Sequence, residues 1–576
     1  MKAILTRILI AVMLLTTIAG VPTLAEGERE TISVGSAFVF RDGFFDEDVV
    51  KVLKDALNIE IKYTFYDADK FSLMLASNDL PDIVCTTQSH LATILENHMA
   101  LNIDTMIDQT EYIDSEQFAA RNDVMRAMLG GDDHGLYFIA PGLGPERVGG
   151  GKLPSRGYAL RWDYYKEAGY PAVENDEDYL NAMIKMVENH PETEDGQKIY
   201  GIGLHNRLDF FYIRACYLTS VGLNPWTFNG YQYMASWDDC VLYNGYVNPE
   251  RSAFWTDMSF YNKMYRAGLF DLDSFTQTEE EYTAKLQAGR YVGEVYNYNT
   301  LYNAQTKLDP DTMAGMVIIP SSGAYVHANK LNIIGNAPTN TIFISAKSKH
   351  KEKAVALLDM MHSPEYIRTL YSGIQGVHWD YDANGKPYLF DETIRLRSEN
   401  SEAWQKTGFG RSTVAQWNMA QPTTRSAKDG YSYELMEEAE YRALGIGKMY
   451  EDYCAYYNAS YPSDACMQRV YAGEAKDLSG DYAQTVVSGI TDIPMDIKRI
   501  MDNCNDILYR SLAKLIMAES DEEFEALRDA IIQELEDADE ETAWEWCETE
   551  FNKVREVIRP IYDEARQVYE ANYLGK

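Results

Sequence analysis

The chain has 576 residues, 46% of them hydrophobic and 24% charged, with a formal net charge of −37. That length exceeds what one hydrophobic core usually sustains, so at least two lobes are expected. The acidic balance excludes nonspecific nucleic-acid binding, which needs basic surface to displace phosphate counterions, and argues against docking on anionic lipid.

Residues 1–25 read as an export signal. Lys2 and Arg7 form a short basic region, Ile8–Ala19 is an uncharged apolar run, and Thr23-Leu24-Ala25 supplies a small-x-small cleavage site before Glu26. The run is too short to span comfortably, and no later segment reaches the roughly eighteen apolar residues of a transmembrane helix. The expectation is an exported protein, extracellular, at the cell surface or periplasmic, with no integral span after signal removal. The first cysteine is Cys85, so none stands at the cleavage site to accept a lipid.

From Glu30, TISVGSAFVF alternates as a strand, and FFDEDVVKVLKDALNI sets Val49, Val50, Leu53 and Leu57 on one helical face. IEIKYTFY (Ile59–Tyr66) alternates as a second strand, KFSLMLASNDL is a short helix, and LPDIVCTT (Leu80–Thr87) is a third strand. Strands alternating with helices imply right-handed crossovers and a parallel sheet. HGLYFIAP (His134–Pro141) reads as a further strand. YALRWDYYKEAGYP (Tyr158–Pro171) passes from strand to helix and stops at Gly169. The helix in NDEDYLNAMIKMVENHP carries acids in its first turn, where they favour the dipole.

Residues 251–290 are largely helical, and GRYVGEVYNYNT (Gly289–Thr300) is a strand ending in an aromatic–amide cluster. A strand at Thr341–Ser345 precedes Lys347, Lys349, Lys351 and Lys353, then a helix with Ala354, Leu357, Leu358 and Met361 at helical spacing. The lysines read as a solvated turn rather than an anion site. From about Asn505 the chain ends in long helical patterns. The seven cysteines contain no CxxC; Cys454 and Cys466 could bridge, an odd total leaves at least one free or intermolecular, and buried thiols are the default.

In order, LPDIVCTT, HGLYFIAP, YALRWDYYKEAGYPAVENDEDYLNAMIKMVENHP, FYNKMYRAGLFDLD, GRYVGEVYNYNT, TIFISAKSKHKEKAVALLDMMHSPEY, GIQGVHWDYDANGKP and the helix opening SDEEFEALRD resemble one family. It is the extracellular solute-binding protein family 1 of bacterial ABC importers, in its large oligosaccharide-type branch. The match threads most of residues 30–575 and departs in lacking the lipobox that many relatives carry. The resemblance implies an α/β, two-lobed periplasmic-binding-protein-like fold with a hinge, a ligand cleft and extra C-terminal helices. Lobe 1 is expected at 26–145 and 305–375, lobe 2 at 146–304 and 376–500, and helices packing on the lobes at 501–576. The implied partners are a small carbohydrate ligand and the ABC permease transmembrane subunits, with the receptor monomeric and without cofactor.

The residues support carbohydrate chemistry. Sugars present apolar C–H faces and rings of hydroxyls, so a binder wants aromatic platforms beside Asp, Asn, Glu and Arg. The chain has 42 Tyr against 20 Phe. Open α/β sheets gather ligands at the carboxyl ends of their strands. On that rule the candidate ligand-binding residues are Arg161, Trp162 and Asp163 after one strand, Glu294, Tyr296, Asn297 and Tyr298 ending another, and Trp379 and Asp380 after a Gly-rich turn. Phe44, Asp82 and Trp417 complete the set. Competing readings are a helix anchor for Trp162, hinge packing for Trp379 and, preferred for Asp82, a cap or turn.

Enzymatic patterns are weaker. Gly142–Gly157 contains Gly151-Lys152 but Leu153 stands where a phosphate loop needs Ser or Thr, so a surface loop is expected. There is no HExxH and no GxSxG, and no metal site is expected. A catalytic carboxylate pair stays open, because only geometry identifies one. The expected function is a non-catalytic receptor that captures carbohydrate by hinge closure. The alternatives are an exported glycoside hydrolase or lyase, and a peptide-binding or sensor-presenting receptor.

Overall fold

The computed structural model describes residues 29–37, 39, 41–87, 90–142, 157–206, 232–236, 240–294, 301–306, 308–321, 325–326, 341–399, 402–410, 419–477, 482–490 and 493–569. The export signal, most of the Gly142–Gly157 loop, Tyr296, Asn297, Tyr298 and Trp417 lie outside the described residues. Two compact units divide the chain: Met1–Gly144 with Gly335–Tyr441, and Pro145–Ile334 with Arg442–Lys576.

The first unit opens with β1 (Glu30–Ser36), β2 (Gly43–Phe44), β3 (Ile59–Phe65) and β4 (Ile83–Thr86). β1 pairs in parallel with β3, Val34 opposite Tyr63, and with β4, Val34 opposite Ile83. In β4 the run Ile83-Val84-Cys85 is buried throughout, whereas in β1 and β3 the fully buried Ile32, Val34, Ile59 and Ile61 alternate with Ser33, Glu60 and Lys62. Between β2 and β3, helix Asp48–Leu57 buries Val49, Val50 and Leu53 and ends on Asn58 at φ 49°. Helix Ala68–Ser77 starts on Asp67, whose carboxylate accepts from the Lys70 amide, and ends on Asn78 at φ 50°. Asparagine tolerates this left-handed closure better than most residues do. His134–Pro141 forms no strand: Ile139 alone pairs with Ile342, exchanging two hydrogen bonds of 2.8 Å, after His134 turns at φ 49°.

The second unit begins with β5 (Tyr158–Arg161) and the short helix Trp162–Glu167. The hairpin of β6 (Tyr233–Ala235) and β7 (Leu242–Asn244) follows, then β8 (Gly293–Glu294), β9 (Met316–Ile319) and β10 (Tyr325–Val326). β5 lies between β8 and β9 and is antiparallel to both. Helix Asp176–Asn189 is capped by Asn175 and helix Glu279–Gln287 by a Thr278–Glu281 capping box.

Returning to the first unit, β11 (Thr341–Ile344) joins the sheet antiparallel to β4, giving the order β11-β4-β1-β3-β2. Helix Lys351–His362 buries Ala354, Leu357, Leu358 and Met361. Two lysines of this segment have structural partners: Lys353 Nζ, in the helix, donates to Leu57 O at 2.8 Å and Lys347 Nζ, in the turn before it, lies 3.5 Å from Asn78 O. Both ammonium groups sit at helix C-termini, where the dipole favours positive charge.

β12 (Trp379–Tyr381) and β13 (Pro387–Leu389) form a hairpin whose Trp379 and Leu389 pack with Leu435 and Tyr441. That cluster, with the Arg368–Asp429 ion pair at 2.9 Å, places residues 376–441 in the first unit instead of lobe 2. The return crossing comes at Gly335 rather than residue 305. The last helices, Met495–Ile516, Asp521–Asp537 and Glu540–Tyr569, belong to the second unit. Buried Asn262 Nδ2 donates to Ile516 O and Ala518 O at 3.1 and 2.7 Å, tying the first of them to helix Ala253–Arg266. Cys85, Cys240, Cys454, Cys466, Cys504 and Cys547 are buried free thiols, so Cys454 and Cys466 do not bridge.

Candidate functional site

Three parallel strands of the first unit finish together. Ser36 lies in register with Phe65 of β3 and Cys85 of β4, so Ala37, Tyr66 and Thr87 emerge from one edge of the sheet. The Tyr66 amide donates to Ser36 O at 3.3 Å, and its hydroxyl donates to Cys85 O. Its ring stacks on Phe71 at 4.4 Å and 13°, and the edge of His90 meets Phe71 at 5.0 Å. Tyr66 and Phe71 are buried, while His90 is half-buried and Thr87 exposed. Burial raises the Tyr66 hydroxyl and lowers the His90 imidazole, so His90 is held neutral and can donate and accept.

The flanks of this edge are polar. Asp42 accepts from the Phe65 amide at 2.6 Å and Lys70 Nζ donates to Phe65 O at 2.6 Å. Arg41 lies over the Phe45 ring at 3.6 Å and pairs with Glu47. Phe44, opposite Lys62 on the edge strand β2, is 54% exposed and offers an aromatic face. An exposed aromatic, a hydroxyl, a neutral imidazole and charged groups within one unit suit hydrogen bonding and stacking to a polyhydroxy ligand.

Asp82 is at the opposite end of the same strands. Its carboxylate accepts from the Ser33 amide at 2.9 Å and hydroxyl at 2.6 Å, and from the Ser348 hydroxyl at 2.7 Å. Burial alone would raise this carboxyl, but the bonds from Ser33 and Ser348, with His350 nearby, hold it below the usual range. It fastens β1 and the turn after β11 to the start of β4, at the amino end of the sheet.

The two tryptophans do not offer a face. Trp379 is 5% exposed, donates from Nε1 to Gly373 O at 2.8 Å, and lies under the Arg368 guanidinium at 5.2 Å. Asp380 accepts from the Gln375 amide group at 3.1 Å and the Tyr381 N–H at 2.9 Å, which ties it to the segment that precedes the hairpin. Trp162 is fully buried, its Nε1–H donating to Asp452 at 2.9 Å, with Tyr165, Tyr170, Tyr453 and Tyr456 around the ring. These rings stabilise their own units, as any large apolar surface does when covered.

Arg161 and Asp163 are bound to each other by two bonds of 2.9 Å, and the guanidinium lies 3.9 Å over Tyr164, whose ring also stacks on His190 at 3.8 Å. Glu294 is 1% exposed and accepts from the Tyr302 amide. Because β5 and β8 are antiparallel, with Ala159 opposite Glu294, the carboxyl ends of the two strands, at Arg161 and at Glu294, point in opposite directions. The carboxyl-end rule applied to both strands therefore does not bring them together. Tyr66, Thr87 and His90 were not among the expected ligand residues. The signal for the first two was present, since they end the strands Ile59–Tyr66 and Leu80–Thr87.

Among the described residues no group of three or more His, Cys, Asp or Glu could hold a metal ion, and no helix is long and apolar enough to cross a membrane.

Comparison with protein-family profiles finds no match. An uncharacterized protein in the butB 5′ region of Niallia circulans is 29% identical over 199 residues, 33% of this chain and 72% of the relative. Among solved structures, an extracellular solute-binding protein from Bifidobacterium longum subsp. infantis matches with TM-score 0.57 and 12% identity, covering 93% of this chain and 100% of that one. An HMO binding ABC-transporter associated solute binding protein of Bifidobacterium longum infantis matches with TM-score 0.55 and 12% identity over 92% of this chain and 99% of that one. The S. pneumoniae ABC-transporter substrate binding protein FusA, in complex with kestose, matches with TM-score 0.54 and 14% identity over 91% and 99%. The chain has the mixed α/β fold of the periplasmic solute-binding proteins, carrying extra C-terminal helices.

Proposed function

We propose that this chain is the exported receptor of an ABC importer, capturing an oligosaccharide or other carbohydrate and delivering it to the permease. The observation that carries the reading is a fold shared over 91% to 93% of the chain with solved solute-binding proteins, two of them named for ABC transporters. The edge bearing Thr87 and His90 supplies polar groups, and exposed Phe44 on the edge strand β2 of the same unit supplies an aromatic face, that fit a sugar. Capture works by closure: the ligand favours whichever arrangement of the two units it binds more tightly. The leader-like residues 1–25 support export, and the partners are the permease transmembrane subunits.

A thermal-shift and calorimetric screen of the purified protein against oligosaccharides tests this. A cognate sugar raises the unfolding midpoint by mass action, with small-angle scattering reporting a smaller radius of gyration on binding. Release of new reducing ends from the sugars would make the protein a hydrolase and overturn the receptor reading. A response to peptides and to no sugar would overturn the ligand class.

A further inference from the structure

The buried Trp162 carries an aromatic stack that the foregoing reading does not use. Tyr170 and Tyr456 lie face to face at 3.9 Å and 17°, resting on Trp162 at 5.5 and 5.9 Å. Tyr456 is 47% exposed although it stands beside a packed core. Tyr170 holds φ 55°, directly after Gly169 at φ 80°. Left-handed backbone is uncommon for so bulky a residue and marks a place where the surrounding structure imposes it. Here the result is a ring projected onto the stack rather than into the core.

The groups beside the stack are polar and balanced in charge. Lys166 Nζ reaches the two oxygens of Asp452 at 2.7 and 2.8 Å, and Asp452 also accepts from the Trp162 indole. The same ammonium interacts electrostatically with the Tyr170 phenol. An ion pair satisfied in this way exerts little net pull on an ion, yet leaves lone pairs and hydroxyls for further hydrogen bonds. A flat aromatic face with neutralised polar neighbours matches one ligand chemistry best: an uncharged pyranose, apolar on its C–H face and polar at its rim.

We propose that the Tyr170–Tyr456 stack is a docking ledge for neutral carbohydrate on the second unit, separate from the importer's uptake site. The inference stands on this local geometry and does not rest on the importer reading.

Saturation-transfer NMR on the intact protein, with maltotetraose, cellotetraose and chitotetraose as probes, reads contact between protein rings and sugar C–H protons. Wild type is expected to transfer to at least one probe. Tyr456→Ala weakens that binding roughly tenfold, the loss of one aromatic stack, and Tyr456→Trp retains it. Tyr456→Leu keeps apolar cover over Trp162 while removing the aromatic face, so it decides the matter if the alanine variant fails to fold. Absence of transfer to all three probes, or transfer unchanged in Tyr456→Leu, overturns the proposal. Calorimetry of any tight sugar found in the importer screen separates the two sites. Tight binding retained in Tyr456→Leu supports a distinct ledge, and tight binding abolished there overturns its separateness.

Discussion

Asp82→Ala removes a carboxylate that receives three hydrogen bonds, from the Ser33 amide and hydroxyl and from the Ser348 hydroxyl, all between 2.6 and 2.9 Å. A hydrogen bond to a charged group contributes about 1.5–3 kcal/mol, but these three share one acceptor and are not additive. Asp82 is also half-buried, so water replaces part of what is lost. The expected destabilisation is therefore about 2–3 kcal/mol at pH 7, close to one strong charge-assisted bond and one stranded amide. The pH dependence has a definite sign. Although burial pushes this carboxyl up, its hydrogen bonds leave it lowered, so its contribution is present above the unfolded value near 3.9 and fades as pH falls through the folded value. Urea unfolding followed by tryptophan fluorescence, at pH 7 and at pH 3, measures both. The gap between wild type and variant should shrink at the lower pH. A loss below about 0.5 kcal/mol, the range of an ordinary surface substitution, refutes the assignment of Asp82 to the frame of the sheet. So does unchanged stability combined with loss of sugar affinity.

Other consequences follow from the same geometry. Lys353→Met removes the ammonium from Leu57 O at the end of helix Asp48–Leu57 and should cost about 0.3–1 kcal/mol, seen as a lower urea midpoint. Trp379→Phe strands Gly373 O and should cost about 1–3 kcal/mol while leaving sugar affinity per folded molecule unchanged by calorimetry. Burial raises the Glu540 carboxyl despite hydrogen bonds from Tyr233 and Asn244. A raised folded pKa gives stability that is present below the unfolded value near 4.3 and lost as pH rises through the folded one. Glu540→Gln should accordingly gain on wild type as pH is raised from 4 to 8 in thermal melts. The Cys454 and Cys466 thiols are pushed up to about 11 and about 12 by burial, so both should react with a thiol reagent only after denaturant is added.

Much of the first unit was legible because its signals are local. The alternation in Ile59–Tyr66, the apolar run of β4 and the 3.6-residue spacing of Val49, Val50 and Leu53 each concern a few neighbouring residues. His134–Pro141 carries a strand-like apolar run but makes a β-bridge at one position only, a fact its own residues do not encode. The candidate ligand residues were harder to read. Both tryptophans follow a strand or a turn, as a sugar platform would, and so does an aromatic side chain that folds inward to cover the next element.

The carboxyl-end rule depends on strand direction, and direction is a property of pairs. In the first unit, strand–helix–strand connections imply parallel strands, so the edge bearing Tyr66 and Thr87 follows from the sequence once the rule is applied to it. In the second, β5 ends at Arg161 and β8 begins only at Gly293, and only their pairing shows that they run in opposite senses. Elements, caps and the acidic, Tyr-rich character were determined by the sequence itself, because propensity and periodicity act within one or two turns. Which ring is covered was decided by tertiary structure. Trp162 is a core residue because Asp452, 290 residues later, accepts its indole proton and brings Tyr453 and Tyr456 against it. Burial arises from chain segments meeting in space, and no local pattern records who will arrive.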